Sequence, residues 1–129
     1  MLIAALTVTG IAALVHVYVF VLESLLWTTP RARAVFGLDE QTARTTAPMA
    51  FNQGFYNLFL AVEIVAGIVV HTTGRHTVGA VLVLVGTLSM VGAGIVLLAS
   101  DRSKVRPALI QILPALIGSL LLIASLTTD

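Results

Sequence analysis

Residues 77–100, TVGAVLVLVGTLSMVGAGIVLLAS, decide the fold because this stretch contains no charged side chain. An α-helix rises about 1.5 Å per residue, so about 20 apolar residues cross the roughly 30 Å hydrocarbon core of a bilayer. The stretch is long enough to do so. The same test identifies three further helices, and we predict four membrane-spanning helices at about 2–26, 48–71, 77–100 and 107–126.

The composition of the whole chain favours the same fold class. Of its 129 residues, 58% are hydrophobic and 10% are charged, and the mean hydropathy is +1.05. Soluble domains carry about 25% charged residues, so a water-soluble domain is excluded, and so is a disordered chain. The net charge of +1 offers no basic surface for nucleic acid. The absence of cysteine excludes disulfides and thiolate metal sites.

Basic residues are distributed unequally between the predicted loops. The first loop contains three arginines and the third contains Arg102, Lys104 and Arg106, whereas the second contains Arg75 alone. Cytoplasmic loops carry the excess of Lys and Arg. We therefore predict an all-α, antiparallel bundle of four transmembrane helices, with loops 1 and 3 cytoplasmic and both termini outside. Residues 1–129 would form a single domain, integral to the cytoplasmic membrane.

The first loop, residues 28–47, is long for a compact protein. Pro30 favours the first turn of a helix and Gly37 favours its end, so we predict a short helix between them. Two interpretations of this helix remain open. It lies at the inner membrane surface with its arginines among lipid phosphates, or it forms a lid over a pocket that faces the cytoplasm.

Polar side chains inside the predicted spans form stripes along two helices. In the first helix, Thr9, His16 and Glu23 recur at every seventh position, so they lie within about 40° of one line. Phe20 and Trp27 lie close to the same line. The second helix carries a corresponding stripe and a neighbouring pair of amides: Asn52, Tyr56, Phe59 and Glu63, then Gln53 and Asn57.

These polar side chains are predicted to meet in the cytoplasmic half of the membrane. From the rise of a helix, Glu23 and Asn52 lie about 3 Å from the inner edge and His16 about 14 Å deep. Gln111 of the fourth helix lies roughly 8 Å deep and is followed by Pro114, which can kink the helix. We predict a ligand pocket formed by these residues: His16, Phe20, Glu23, Trp27, Asn52, Gln53, Tyr56, Asn57, Glu63 and Gln111.

Three of these residues, His16, Glu23 and Glu63, are also candidates for catalysis. Ionisable groups in a bilayer cost about 2.5–3.5 kcal/mol and therefore need a partner or a function. A titratable pair can act as acid and base on a lipid-soluble substrate. The same three residues could bind a metal, but no HExxH or ExxH pattern supports that alternative, and we predict no metal site. No phosphate loop or dinucleotide fingerprint occurs, so no motif indicates a cofactor.

Small residues recur at every seventh position along one face of the third predicted helix: Gly79, Gly86, Ala93 and Ser100. Such a face lets a neighbouring backbone approach closely. We expect it to pack within the bundle or between protomers of a homo-oligomer, and we expect no chemistry from it. For Thr9, Gln53 and Gln111, hydrogen bonding between helices without a ligand is the alternative to a binding role.

Two motifs resemble a known family. One is His16-x6-Glu23-x3-Trp27 in the first helix, and the other is NQGFYN at residues 52–57 in the second. Together they resemble a family of small, four-helix bacterial membrane proteins catalogued only as a domain of unknown function. The resemblance covers essentially the whole chain. It implies this fold and a location in the bacterial inner membrane, but it implies no activity, substrate or cofactor.

Three functions fit these features. We favour the binding or transport of a small amphipathic or cationic ligand, with Glu23 or Glu63 exchanging a proton against it. The second hypothesis is an intramembrane acid/base enzyme of the isomerase or hydrolase class. The third is an accessory membrane subunit whose polar stripes face a partner protein. The expected partners are the lipid bilayer, the ligand and a second copy of the chain, and not nucleic acid.

Overall fold

The computed structural model describes residues 1–128, and this part of the chain is helical with short connections and no strand. Its α-helices, in chain order, are α1 Leu2–Phe20, α2 Pro30–Phe36, α3 Glu40–Thr72, α4 His76–Ser100 and α5 Val105–Thr128. A π-helical turn, Val21–Leu25, continues α1, and a 3-10 turn, Arg102–Lys104, precedes α5. The predicted all-α class is confirmed. The last residue of the predicted domain, Asp129, lies outside the described residues.

Four helical segments within residues 1–128 are long and apolar enough to cross a membrane: Leu2–Leu25, Glu40–Thr72, His76–Ser100 and Arg102–Thr128. Large aliphatic side chains on these segments are exposed, among them Leu14 at 68% and Leu120 at 58%. Contact of these side chains with lipid chains is favourable, whereas their contact with water is unfavourable. The prediction of four membrane-length helices is confirmed, and the chain is compatible with a multi-pass membrane protein. The side on which each loop lies stays a prediction.

The third helix, α3, begins at Glu40, whereas the apolar pattern predicted its start near position 48. The side chain of Asp39 explains the earlier start. Its Oδ1 accepts the backbone N–H of Thr42 at 2.7 Å, and its Oδ2 accepts the Thr42 hydroxyl at 2.8 Å. Such a cap satisfies an N–H group that has no partner inside the first turn. The first part of α3 is polar, so a search for apolar residues assigned it to the loop.

Contacts divide the chain into two compact units. The terminal unit comprises Met1–Val15 and the chain from Leu60 onward, and the central unit comprises His16–Phe59. Among the described residues, two clusters of buried apolar side chains lie in the terminal unit and consist largely of alanine: Ala12, Ala13, Ala61, Ile64, Met90 and Ala115, then Ala5, Ala80, Val83 and Leu122. Small side chains allow the close helix packing that stabilises proteins in lipid.

In the terminal unit, α3 and α4 pack closely through glycine. A Cβ atom on Gly79 would overlap the backbone of His71, and one on Gly86 would lie 2.8 Å from Ile64 Cγ1. Gly79 thus lies beside His71 and Gly86 beside Ile64, so the two helices run antiparallel. Two residues of the predicted small-residue face therefore pack within the chain, whereas Gly92 on the same helix has no heavy atom within 4 Å of its Cβ position. A homo-oligomer through this face stays a prediction.

The central unit contains the short helix α2. Thr29 precedes α2 and caps it, because its hydroxyl oxygen accepts the backbone N–H of Ala32 at 3.3 Å. Pro30 occupies the first turn, and Gly37 ends the helix with a φ of 68°, a backbone angle that glycine adopts without strain. The ring of Phe36 at the end of α2 lies against Trp27, with 4.8 Å between the ring centroids.

Candidate functional site

The π-helical turn Val21–Leu25 contains Glu23. The N–H of Leu26 donates to the carbonyl of Val21 at 3.1 Å, so this bond spans five residues instead of the four of an α-helix. Turns of this kind are rare and are found frequently at functional sites. Glu23 is half-buried here, within the central unit. The sequence thus places an ionisable group on an irregular part of the backbone.

Asn57 of α3 is the polar partner of this carboxyl group. Its Nδ2 donates to Glu23 Oε2 at 2.8 Å and to the carbonyl of Gln53 at 3.2 Å. No ion pair involves Glu23 within residues 1–128. The polar partner of the carboxyl is therefore a neutral amide, and no basic side chain of the described chain pairs with it.

Ser24 and Gly54 bring the π-helical turn close to α3. The Ser24 hydroxyl donates to the carbonyl of Phe51 at 2.8 Å. A Cβ atom on Gly54 would overlap Ser24 Oγ and would lie 3.1 Å from Glu23 Cβ. Gly54 was recognised from the sequence only as part of the NQGFYN motif, and Ser24 was not predicted as a site residue. A glycine inside a helix costs about 1 kcal/mol relative to alanine, and that cost indicates a close approach.

A groove of about 440 Å³ opens beside Glu23 in the central unit. We call it the glutamate groove, and its lining consists of Glu23, Trp27, Leu38, Thr46, Met49, Ala50, Asn52 and Gln53. The lining combines one carboxyl group, two amides and several apolar side chains, and it contains no basic residue. Its volume falls in the range of about 300–1,000 Å³ that is usual for small-molecule sites.

The indole ring of Trp27 is fixed at one wall of the glutamate groove. Its Nε1 donates to the hydroxyl oxygen of Thr46 at 3.0 Å, and that hydroxyl in turn donates to the carbonyl of Thr42 at 2.7 Å. Thr46, Leu38 and Met49 were not predicted as site residues, because the sequence analysis assigned most of this part of the chain to a loop. The sequence offered one indication of a partner for Trp27, because the indole N–H of a buried tryptophan usually finds an acceptor.

A second depression of the central unit, about 460 Å³ in volume, is mainly aromatic. We call it the aromatic groove, and it is lined by Phe51, Asn52, Phe55, Tyr56 and Phe59. Phe20 supports it from α1, because its ring meets that of Phe55 edge to face with 5.2 Å between centroids. Asn52 lines both grooves, so the polar and the aromatic surfaces are continuous at this residue.

The predicted site residues are divided between the central and the terminal unit. Five of them lie at the glutamate groove or bond to its carboxyl: Glu23, Trp27, Asn52, Gln53 and Asn57. Phe20 and Tyr56 belong to the aromatic surface. His16, also in the central unit, is 1% exposed. Glu63 and Gln111 belong to the terminal unit, where Gln111 Nε2 donates to the carbonyl of Met90 at 3.5 Å.

The geometry of a metal site is absent from the described part of the chain. Within residues 1–128, no three His, Cys, Asp or Glu side chains lie close enough together to hold a metal ion. The metal alternative for His16, Glu23 and Glu63 therefore has no support in this structure.

Comparison with known proteins identifies a family for the chain. A protein-family model described as "Protein of unknown function (DUF1304)" matches residues 10–123, which is most of the chain. The comparison found no curated protein and no solved structure that matches the chain. The resemblance to a domain of unknown function is confirmed. With a match of this extent, the chain belongs to the DUF1304 family.

Proposed function

We propose that the central unit binds a small amphipathic molecule with a cationic end, and that the Glu23 carboxyl receives the cation. The observation that carries the proposal is the glutamate groove, in which a half-buried carboxyl faces space and has an amide but no basic residue as its partner. A charge placed in an apolar environment needs a counter-ion or must be neutralised by a proton. A cationic ligand supplies that counter-ion.

The remaining lining of the glutamate groove supports an amphipathic ligand. Leu38, Met49 and the ring of Trp27 offer apolar contact beside the carboxyl. The face of a tryptophan also attracts a cation within about 6 Å. Asn52 and Gln53 provide neutral hydrogen-bonding groups that would orient the polar end without opposing its charge. The chemistry of the lining thus favours an alkyl or aryl ammonium compound over an anion.

The carboxyl can hold a proton or pair with the cation, and the two forms exclude each other. Binding of the cation to the protonated carboxyl therefore releases a proton. Such an exchange is the simplest coupling that a transporter with a membrane carboxyl requires. Transport, as distinct from binding, stays a prediction, and so do the acid/base enzyme and the accessory subunit.

The single tryptophan of the chain provides the test, because Trp27 lines the glutamate groove. The full chain in phosphatidylcholine vesicles would be titrated with decylammonium, and with decanol as the uncharged analogue, while tryptophan emission is recorded. We expect saturable binding of decylammonium and at least about tenfold weaker binding by Glu23→Gln, since removing one partner of a desolvated charge pair costs about 2–5 kcal/mol. Decanol should not distinguish the two proteins.

Glu40→Gln is the matched control, because it removes the same charge from an exposed side chain of the same unit. It should bind decylammonium like the unmodified chain. Equal affinity of Glu23→Gln and the unmodified chain would contradict the proposal, as would equal affinity for decylammonium and decanol. A loss of affinity in Glu40→Gln as large as that in Glu23→Gln would assign the effect to net charge and would also contradict it.

A further inference from the structure

A third groove lies in the terminal unit between α1 and α5, and none of its residues belongs to the glutamate groove. Its volume is about 700 Å³. We call it the α1–α5 groove. Its wall is aliphatic along both helices and includes Ile11, Val15, Leu109 and Leu113. Its polar residues are Ser103, in the turn before α5, and Arg106, in the first turn of α5. The groove is therefore amphipathic along its length.

The polar end of the α1–α5 groove carries a positive charge. The side chain of Arg106 is exposed and forms no hydrogen bond or ion pair with another side chain in the described part of the chain. Arg102 and Lys104 lie in the 3-10 turn just before it. A guanidinium group can bind a phosphate through two parallel hydrogen bonds, which makes Arg106 suited to a phosphate headgroup.

The acidic residue that precedes this turn, Asp101, forms its hydrogen bonds with Ser103 and not with Arg106. Asp101 accepts the backbone N–H of Ser103 at 2.9 Å and its hydroxyl at 2.7 Å, both at Oδ1. These hydrogen bonds from Ser103 hold the pKa of Asp101 below its ordinary value, and the carboxylate serves as the cap of the turn. Residues 101–106 thus contain three basic residues and one acidic residue.

We propose that the α1–α5 groove binds an anionic phospholipid of the surrounding bilayer, with the phosphate at Arg106 and an acyl chain along Leu109 and Leu113. Arg106 stands at the end of a membrane-length helix, where headgroups lie, and the aliphatic wall continues about 10 Å along α5 from there. Basic pockets between transmembrane helices are known to take anionic headgroups. A free phosphate ion would use the arginine but would leave the aliphatic wall uncovered.

The test is native mass spectrometry of the full chain in a mild non-ionic detergent, titrated with phosphatidylglycerol and, separately, with phosphatidylcholine of the same acyl chains. We expect phosphatidylglycerol to bind more tightly. Arg106→Gln should weaken its binding about fivefold, the effect of one basic residue near an anionic lipid. Arg75→Gln removes an arginine from the turn before α4 and should leave the affinity unchanged.

A second pair of variants tests the aliphatic wall. Leu109→Trp would fill the groove and should lower phosphatidylglycerol binding, whereas Leu120→Trp, at an exposed position of the same helix that does not line the groove, should not. Equal losses in Arg106→Gln and Arg75→Gln would show a general effect of charge and would overturn the proposal. Equal binding of the two lipids, or displacement of the bound lipid by inorganic phosphate at equal concentration, would overturn it as well.

Discussion

Asn57 donates a hydrogen bond of 2.8 Å to the carboxyl of Glu23 across 34 positions of the sequence. The bond joins the π-helical turn at the end of α1 to the middle of α3 within the central unit. An amide donor holds the carboxyl in one orientation but is not a counter-ion for it. The pair therefore links two helical segments of this unit and leaves the carboxyl able to pair with the cation of the proposed function.

Replacing Asn57 by leucine removes that donor and leaves Glu23 Oε2 without its amide partner. We expect a loss of about 1 kcal/mol in stability, because both side chains are half-buried and water can partly replace the amide. Thermal unfolding in detergent, followed by circular dichroism, measures the loss. Asn52→Leu is the control, because Asn52 is exposed in the same helix, and it should change the stability little. Equal changes in both variants would refute the structural role of the Asn57 amide.

Alanine at Gly54 tests the close approach of the π-helical turn to α3. The added Cβ would overlap Ser24 Oγ, and overpacking of this kind costs about 1–3 kcal/mol. Gly92→Ala is the control, because no heavy atom lies within 4 Å of the added Cβ. Alanine has the better helix propensity, so this variant should be more stable than the unmodified chain by up to about 1 kcal/mol. The two variants should therefore shift the unfolding midpoint in opposite directions. A destabilised Gly92→Ala or an unaffected Gly54→Ala would contradict the close approach of the π-helical turn to α3 at Gly54.

The helices were predictable from sequence because the bilayer sets their length. An uncharged stretch such as residues 77–100 leaves little alternative to a spanning helix. The meeting of Glu23 with the amides of the second predicted helix also followed from helical rise alone. Its hydrogen-bond partner differs, however, because the depth calculation placed Asn52 level with Glu23, whereas the bond is made by Asn57. The π-helical turn and the contact of Ser24 with Gly54 determine that register, and neither is visible in hydropathy.

The polar beginning of α3 could not be located by the same method. A search for apolar residues detects the part of a helix that lipid covers, but Glu40 and its neighbours are stabilised by a cap and by an ion pair between Arg44 and Glu40 at 2.6 Å. The position of Thr46 beside Trp27 depends on that helical start. Trp27 was named from the sequence, whereas its acceptor Thr46 could be identified only from the tertiary contact.

Valine at Thr46 removes the acceptor of the Trp27 indole N–H while preserving the shape of the side chain. We expect a loss of about 1 kcal/mol in stability, because water can partly replace the acceptor at this half-buried position. The emission maximum of the single tryptophan should shift, because the indole N–H exchanges its partner. Thr45→Val is the control, since the Thr45 hydroxyl donates only to backbone carbonyls of its own helix. An unchanged emission spectrum in Thr46→Val would contradict the hydrogen bond.

The cap at Asp39 makes the start of α3 sensitive to acid. Hydrogen bonds from the backbone N–H and the hydroxyl of Thr42 hold the pKa of Asp39 below its ordinary value. Because the folded state binds this proton less readily than the unfolded state, the stabilising effect is present above the ordinary pKa and is lost as pH falls through the lowered one. Thermal midpoints measured in detergent between pH 6 and pH 2 should therefore fall with acidification.

Asp39→Asn isolates the contribution of that carboxylate, because asparagine caps a helix about as well and does not titrate in this range. Other acidic groups, including Asp101, still titrate in the variant, so its midpoint should also fall with acidification, but by less. The difference between the two proteins should be greatest near pH 6 and should shrink toward pH 2, since the protonated Asp39 has lost the charge that strengthens its cap. Parallel pH profiles for the two proteins would mean that Asp39 makes no charged cap, and the early start of α3 would then need another cause.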